Sequence, residues 1–518
     1  MKIGKYTFLV VLWAVAIVSC HEEKTSSNKN YSSADYQELD SSAFRLNSHR
    51  IRANIVRLAR ADNDSLQPDS RTRRYYRGGG NFLWIDRQGV DARADSLLAH
   101  LHEVEALGFS RRKFRVEEIE ADLRRVRTLK VDTGSNALNL VMARLEYNLT
   151  KAFLRYVSGQ RFGFVNPAWV FNRLDVHEGD STGKSYRALF DVAMEHATKN
   201  FYWAALRKIY NDSVAIFLHE VQPKSPLYQT FLARLKRQSL SPSERIKTLC
   251  NLERSRWRLA DIPQNHDQYI WVNIPSFHLD AVRGDSVLTM RMACGNVATK
   301  TPLLTSRIMR MDINPQWVVP RSIIRKEMVR HVADPAYFES HRYVVRERRS
   351  GRPVDLNRLT TALLLSPDHC VVQSGGEGNA LGRIIFRFAN NFSIFIHDTS
   401  SKEAFARDNR GVSHGCIRVE QPFDLAVFML ADKDERLIEK IKYSMEVNLY
   451  PPPSDAQSTE WKKPDRSKLM NSLRVNPEIP VFIAYYTLYP DKRGAMRSYP
   501  DVYGYDQVLY GWLKNYIE

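Results

Sequence analysis

The spacing of hydrophobic positions changes once along this chain. From Asn81 to about Arg258 they recur every three or four residues. In "DARADSLLAHLHEVEALGF", Leu97, Leu98, Leu101, Val104 and Leu107 form one apolar stripe, which predicts a helix with Gly108 as its stop signal. "NALNLVMARLEYNLTKAFLRYVSG" repeats the pattern and predicts a helix ending at Gly159. "LYQTFLARLKRQ" and "PSERIKTLCNLERSRWRL" continue it, and upstream "RIRANIVRLARA" predicts a helix and "SRTRRYYRGGG" a basic loop. Near Asp267 alternation takes over. "QYIWVNIPSFHLDAV", "DSVLTMRMACG", "RIMRMDINPQWVVP", "IIFRF", "FSIFIH" and "IPVFIAYYTLY" predict strands, with turns at Gly284-Asp285 and Gly295. "SIIRKEMVRHV", "FDLAVFMLADKDERLIEKIKY" and "YGYDQVLYGWL" predict helices, and "LYPPPSDAQSTEWKKPDRS" a polar loop. Scaffold helices followed by a strand-rich region make the expected class α+β.

The N-terminus adds an address. "MKIGKYTFLVVLWAVAIVSC" carries Lys2 and Lys5, then an apolar run from Tyr6 to Val18. That run suits a signal peptide and is shorter than the ~20 residues of a comfortable membrane span. Ser19-Cys20 resembles a bacterial lipobox, which implies cleavage before Cys20 and lipidation of its thiol. Residues 21–45 are polar and Ser-rich, a flexible tether. The net charge of +18 suits an anionic partner. Export argues against nucleic acid and favours an acidic cell-envelope polymer.

Four cysteines remain beyond Cys20: Cys250, Cys294, Cys370 and Cys416. No C-x-x-C pair exists, so a zinc ribbon or thioredoxin-like site has no support. Pairing among Cys250, Cys294 and Cys370 stays open. "RGVSHGCIRVEQP" places Cys416 two residues after His414, with Gly415 between. Read alone, the string leaves Cys416 open between a buried filler, a disulfide half, a zinc ligand with His397 and His414, and a nucleophile. A nucleophilic thiol needs a base. His414 is one candidate; His397, 19 residues upstream at the end of "FSIFIH", is the other. Gly415 allows an unusual backbone, and the N–H groups of Gly415 and Cys416 suit a developing oxyanion. Arg418 adds a forked cation suited to a carboxylate. No fourth ligand stands at metal-site spacing, so no metal is expected.

"IHDTS…SHGCIRVEQPFDLA" resembles the catalytic signature of YkuD-type L,D-transpeptidases, closest to the large YcbB-type subfamily. "NLERSRWRL", "YIWVNIPSFHL", "TPLLTSRI", "INPQWVVPRSI", "GNALGRIIFRF" and "IPVFIAYYTLYPDKRG…YPDVYGYD" follow that subfamily in order. "LWIDRQGVDARAD" and "LTKAFLRYVSGQRFGFVNP" resemble its N-terminal scaffold. The likeness covers about residues 80–518 and is densest from Leu252 to Leu425. With the signal peptide at 1–20 and the tether at 21–45 read from the N-terminus, it implies an α-helical scaffold at 46–258 and a mainly β catalytic domain at 259–518, with a lid inserted at about 322–378. It implies acyl transfer on peptidoglycan stem tetrapeptides: Cys416 as nucleophile, His397 as base and acid, and a main-chain carbonyl at Asp398 orienting the imidazole. Gly415 would serve the oxyanion. Ser413 and His414 would shape the loop, Arg418 would bind a stem-peptide carboxylate, and Asn314, Trp317 and Asn379 would line or brace the lidded groove.

A diamino-acid amine as acceptor would give a 3→3 cross-link, with D-alanine leaving. Water would make the chain an L,D-carboxypeptidase, and a protein lysine would attach proteins to the wall. A catalytically silent wall-binding lipoprotein is the reading from another class. No cofactor is implied; carbapenem-type β-lactams would acylate Cys416. The implied location is the periplasm of a Gram-negative-type envelope, anchored through lipid. Two departures stand out. The peptidoglycan-binding insert usual before "NLERSRWRL" has no room in "SPLYQTFLARLKRQSLSPSERIKTL", and Asp398 replaces the glycine of minimal members.

Overall fold

The computed structural model describes residues 45–86, 89–177, 182–237, 239–449, 463–491 and 493–517. The signal-like run, Cys20, the tether to residue 44 and most of the Pro-rich loop lie outside the described residues. Among the described residues, no helix is long and apolar enough to cross a membrane. The chain is α+β: helices first, then a mainly β region. It divides into two compact units.

The first unit comprises residues up to 102, 115–154 and 204–217. Its helices Ser48–Ala61, Ala92–His102 and Val116–Arg127 bury the stripes the periodicity predicts, such as Ile51, Ile55 and Ala59 on the first. The basic stretch expected as a loop is instead a helix, Gln67–Arg77. Pro68 sits in its first turn, where a missing N–H costs nothing. Thr72 and Tyr76, four apart, turn inward, and Tyr76 Oη donates to buried Glu146 at 2.7 Å. Glu146 also accepts the N–H groups of Leu83 (2.6 Å) and Trp84 (2.9 Å). Burial pushes this carboxyl up while those donors pull it down. It is a structural hub.

The second unit comprises residues 103–114, 155–203 and 218 onward. The helix Leu138–Phe162 does not stop at Gly159 as expected. The ring of Phe164 occupies the place of a Cβ there, 2.2 Å from where one would stand. That glycine therefore serves close packing. The expected single helix after Pro422 is two, Pro422–Phe428 and Glu435–Glu446, because Asp434 caps the second.

The main sheet uses β1 (Phe190–Asp191), β2 (Gln268–Asn273), β3 (His278–Arg283), β4 (Ser286–Gly295) and β5 (Leu303–Ile313). β6 (Trp317–Val318) comes just ahead of the inserted segment expected as a lid, which contributes β7 (Tyr343–Glu347) and β8 (His369–Gln373). The main sheet resumes with β9 (Ile384–Phe388), β10 (Ile396–His397), β11 (Gly411–Ser413), β12 (Ile417–Val419) and β13 (Ser472–Ala484). The order is β9-β10-β12-β4-β3-β2-β13-β5-β1, with β11 beside β4. Because β9 also pairs with β5, the path closes on itself. Inward positions such as Ile270, Val272, Met292, Ile308, Phe386, Ile396, Ile417 and Val481 fill the core. Between β5 and β9, the lid builds a separate sheet in the order β6-β8-β7. Its own core includes Val319, Ile323, Phe338, Val345 and Val371.

Candidate active site

The pairing of β10 with β12 builds the site. The strands run parallel, with Ile396 opposite Ile417 and His397 opposite Arg418. Both isoleucines are fully buried on the core side. Side chains alternate along a strand, so Phe395 and His397 share the other face with Cys416 and Arg418. The Ile417 N–H donates to the Phe395 carbonyl at 3.1 Å, which locks Cys416 beside that short strand. The Phe395 and His397 rings meet edge to face, 5.6 Å between centroids.

His397 is buried. Its Nδ1 makes a short hydrogen bond to the Asp398 carbonyl. A carbonyl can only accept, so Nδ1 carries the proton and Nε2 keeps the lone pair of a base. Burial, then the positive charge of Arg418, pushes the imidazole down to about 4, against the pull of the Asp398 and Leu381 carbonyls. Cys416 is partly exposed. Desolvation pushes its thiol up to about 11, opposed by the Phe395 N–H and by Arg418. At neutral pH the resting pair is a thiol and a neutral imidazole.

The turn that carries Cys416 is tied at three of its carbonyls. Thr299 Oγ1 donates to the Ser413 carbonyl at 2.8 Å. Thr301 Oγ1 donates to the Gly415 carbonyl at 2.8 Å. Ser413 Oγ donates to the Cys416 carbonyl at 2.6 Å. Gly415 takes φ +114°, a conformation that disfavours any side chain. Its N–H, expected to face an oxyanion, donates instead to Ser413 Oγ at 3.1 Å. Of the two candidate donors, the Gly415 N–H is engaged inside the turn.

The other predicted residues separate into two groups. Arg418 stays at the reacting face, and its buried Nε has no hydrogen-bond partner in the structure. His414 is exposed and turns to the lid, its Nε2 2.9 Å from Glu327 Oε1. The Asp398 carboxylate accepts the Arg383 N–H at 2.8 Å and pairs with Lys402 at 2.5 Å, so its side chain braces the loop. Asn314 bonds the Ser444 carbonyl and accepts from Arg383 Nη1 at 3.3 Å. Trp317 packs on the lid core. Buried Asn379 donates to the Ser374 carbonyl at 2.8 Å and accepts the Leu381 N–H at 2.7 Å, bracing the loop whose Leu381 carbonyl faces His397. These three brace; none is brought to the thiol. Sequence reasoning missed Thr299, Thr301 and Glu327. Two neighbouring threonines after a strand are the only local signal for the first two.

The remaining described cysteines, Cys250, Cys294 and Cys370, are free thiols, so no disulfide links them. Among the described residues, no group of three or more His, Cys, Asp or Glu is placed to hold a metal ion.

Residues 267–439, from the start of β2 through the pair His397 and Cys416, match the YkuD family, the L,D-transpeptidase catalytic domain. The chain carries a YkuD L,D-transpeptidase domain. Residues 69–235 match the family described as Scaffold domain. The YkuD match stops short of β13, although that strand is needed to close the sheet. A protein of Haemophilus influenzae named "Putative L,D-transpeptidase" is 28% identical over 308 residues, 59% of this chain and 58% of that protein. The chain thus matches less than two thirds of that relative's length. A solved structure titled "Structure of the Ldtfm-avibactam carbamoyl enzyme" has 15% identity and a TM-score of 0.20, covering 34% of this chain and 49% of that one. At that score the likeness carries no argument for the YkuD domain here.

Proposed function

We propose that this chain forms 3→3 cross-links in peptidoglycan by cysteine acyl-enzyme catalysis. One observation carries the reading: the Cys416 thiol, the Nε2 lone pair of His397 and Arg418, whose buried Nε has no hydrogen-bond partner, share one face of the sheet. His397 Nε2 takes the thiol proton as Sγ attacks the carbonyl of the third stem residue. The imidazolium returns that proton to the departing D-alanine amine, leaving a thioester on Cys416. An acceptor side-chain amine then attacks the thioester, gives its proton to Nε2, and expels Sγ, which recovers the proton. A neutral resting imidazole suits general-base attack better than a preformed ion pair. The Cys416 N–H is the main-chain donor assigned to the oxyanion, since the Gly415 N–H is engaged by Ser413. Arg418 is assigned to a stem-peptide carboxylate, because a buried guanidinium N–H without a partner favours an anion.

The N-terminal pattern supports export and lipidation at Cys20, which places the enzyme in the periplasm of a Gram-negative-type envelope. Water or a protein lysine as acceptor would use the same residues, giving carboxypeptidase or wall-attachment activity. Carbapenem-type β-lactams are expected to acylate Cys416. The test uses the full mature chain with a defined tetrapeptide donor and an amine acceptor, read by mass spectrometry. The expected result is a 3→3 product that disappears in Cys416→Ala. Hydrolysis alone, with acceptor present, would replace this reading with the carboxypeptidase. No turnover and no carbapenem adduct would leave the silent wall binder.

A further inference from the structure

Two tryptophans stand half in solvent at one place on the second unit. Trp169 is 45% exposed and Trp512 is 40% exposed. Their rings meet at 4.8 Å and 85°, forming a corner. The Arg173 guanidinium lies 4.8 Å from the Trp169 ring centroid, and its Nη1 donates to the Trp169 carbonyl at 2.9 Å. Burying an indole is strongly favourable, so two left open side by side mark a surface that something covers. The neighbouring residues Asn166, Lys514 and Asn515 are exposed and polar. Asn166 caps the Trp169 helix and Asn515 bonds the Trp512 carbonyl at 3.0 Å, so each amide is tied to the backbone of a tryptophan.

We infer that the Trp169–Trp512 corner with Arg173 is a docking site for a glycan strand, specifically an amino-sugar chain bearing carboxylates. A pyranose ring has an apolar C–H face, which suits an indole, and hydroxyl, amide and carboxylate edges, which suit amides and cations. A corner of two rings hedged by amides and basic groups matches that mixture. A protein interface of ordinary size would want a broader apolar centre than two rings. The charge balance of the chain, +18, complements an acidic polymer.

The corner is also held in register with the reacting turn. Phe171, on the Trp169 helix, stacks on Tyr505 of the Trp512 helix at 4.5 Å. Tyr505 packs on Tyr503, whose Oη accepts the Thr301 N–H at 3.1 Å. Thr301 in turn holds the Gly415 carbonyl. These contacts tie both tryptophan helices to the turn that carries Cys416. The inference rests on the peptidoglycan reading for the identity of the glycan.

The test is co-sedimentation of the full mature chain with insoluble wall material stripped of peptides by an amidase. Wild type is expected to sediment, and Trp169→Ala/Trp512→Ala to lose at least about fivefold of the bound fraction. Thermal unfolding checks that the double variant is folded, and Arg173→Ala, expected to weaken binding about twofold, provides a milder second variant. Unchanged sedimentation of a folded double variant overturns the inference, as does a wild type that binds only when the peptides are present. Capture of a protein by the corner, without glycan binding, overturns it in favour of a protein interface. Carbapenem acylation of wild-type Cys416 in the same preparation separates the two claims. Strand binding without acylation sinks the transpeptidase and keeps the corner, and acylation without strand binding does the reverse.

Discussion

Cys416 and Cys294 lie in the same domain, one ahead of β12 and the other near the end of β4, and their surroundings differ in one decisive respect. Both thiols are pushed up by burial, Cys416 to about 11 and Cys294 to about 12. By ionisation alone the two are nearly alike. Cys294, fully buried, meets the Tyr503 hydroxyl at 3.5 Å and the strand bearing Gly411. Cys416 is partly exposed and shares its face with a neutral imidazole and a guanidinium. On the proposed function, a raised thiol is inert in the first setting and usable in the second, because only the second shares a sheet face with an imidazole and is partly exposed. If Cys416 is the nucleophile proposed, the placement of an imidazole on its face, rather than a low thiol pKa, sets it apart.

The largest expected effect comes from removing each thiol in turn. Cys416→Ala should remove all thioester signal by intact mass, whereas Cys294→Ala should keep the adduct. An adduct on Cys294 in the Cys416→Ala chain would break the comparison. Next, Arg418→Met should lower kcat/KM with tetrapeptide about 10- to 100-fold, because it removes the free guanidinium N–H at the reacting face. Thr301→Val tests the support of the turn. Its hydroxyl donates to the Gly415 carbonyl and accepts the Gly295 N–H at 2.9 Å. Losing it strands two buried main-chain groups, so unfolding should ease by about 1–3 kcal/mol and acylation should slow about tenfold. The pH profile follows from His397. Its imidazole must be neutral to act, and it is pushed down to about 4. The acid limb of kcat/KM should therefore fall near pH 4 rather than near the ordinary histidine value of about 6.5. The same shift makes folded stability present above about pH 6.5 and lost as pH falls toward 4, because the unfolded chain takes up the proton first. The smallest effect is Cys294→Ala on stability, about 1 kcal/mol by urea unfolding, for the lost sulfur contacts.

Much of this was readable beforehand, and the misses share a cause. Stripes such as Leu97, Leu101 and Ile51, Ile55 predicted helices because local periodicity reports burial directly. Cys416 and His397 could be singled out as candidates because a nucleophile and its base must be specific residue types. The helix Gln67–Arg77 was not, since its charges read as a loop while its buried Tyr76 depends on Glu146, 70 residues away. Gly159 looked like a helix stop because its reason, the ring of Phe164, is a matter of packing. Thr299 and Thr301 were silent because each holds a carbonyl 114 residues further on. Glu327 became visible only when the lid placed it on His414. Properties set by a residue's own chemistry are legible in sequence; properties set by a distant partner are not.

The central claim is that His397, not the nearer His414, is the base for Cys416. The direct measurement is the rate of carbapenem acylation of Cys416 at pH 7, followed by intact mass, in His397→Ala and His414→Ala. The account predicts a loss of about 10²- to 10⁴-fold in His397→Ala and less than about tenfold in His414→Ala. A greater loss in His414→Ala, with His397→Ala acylating near the wild-type rate, would contradict it.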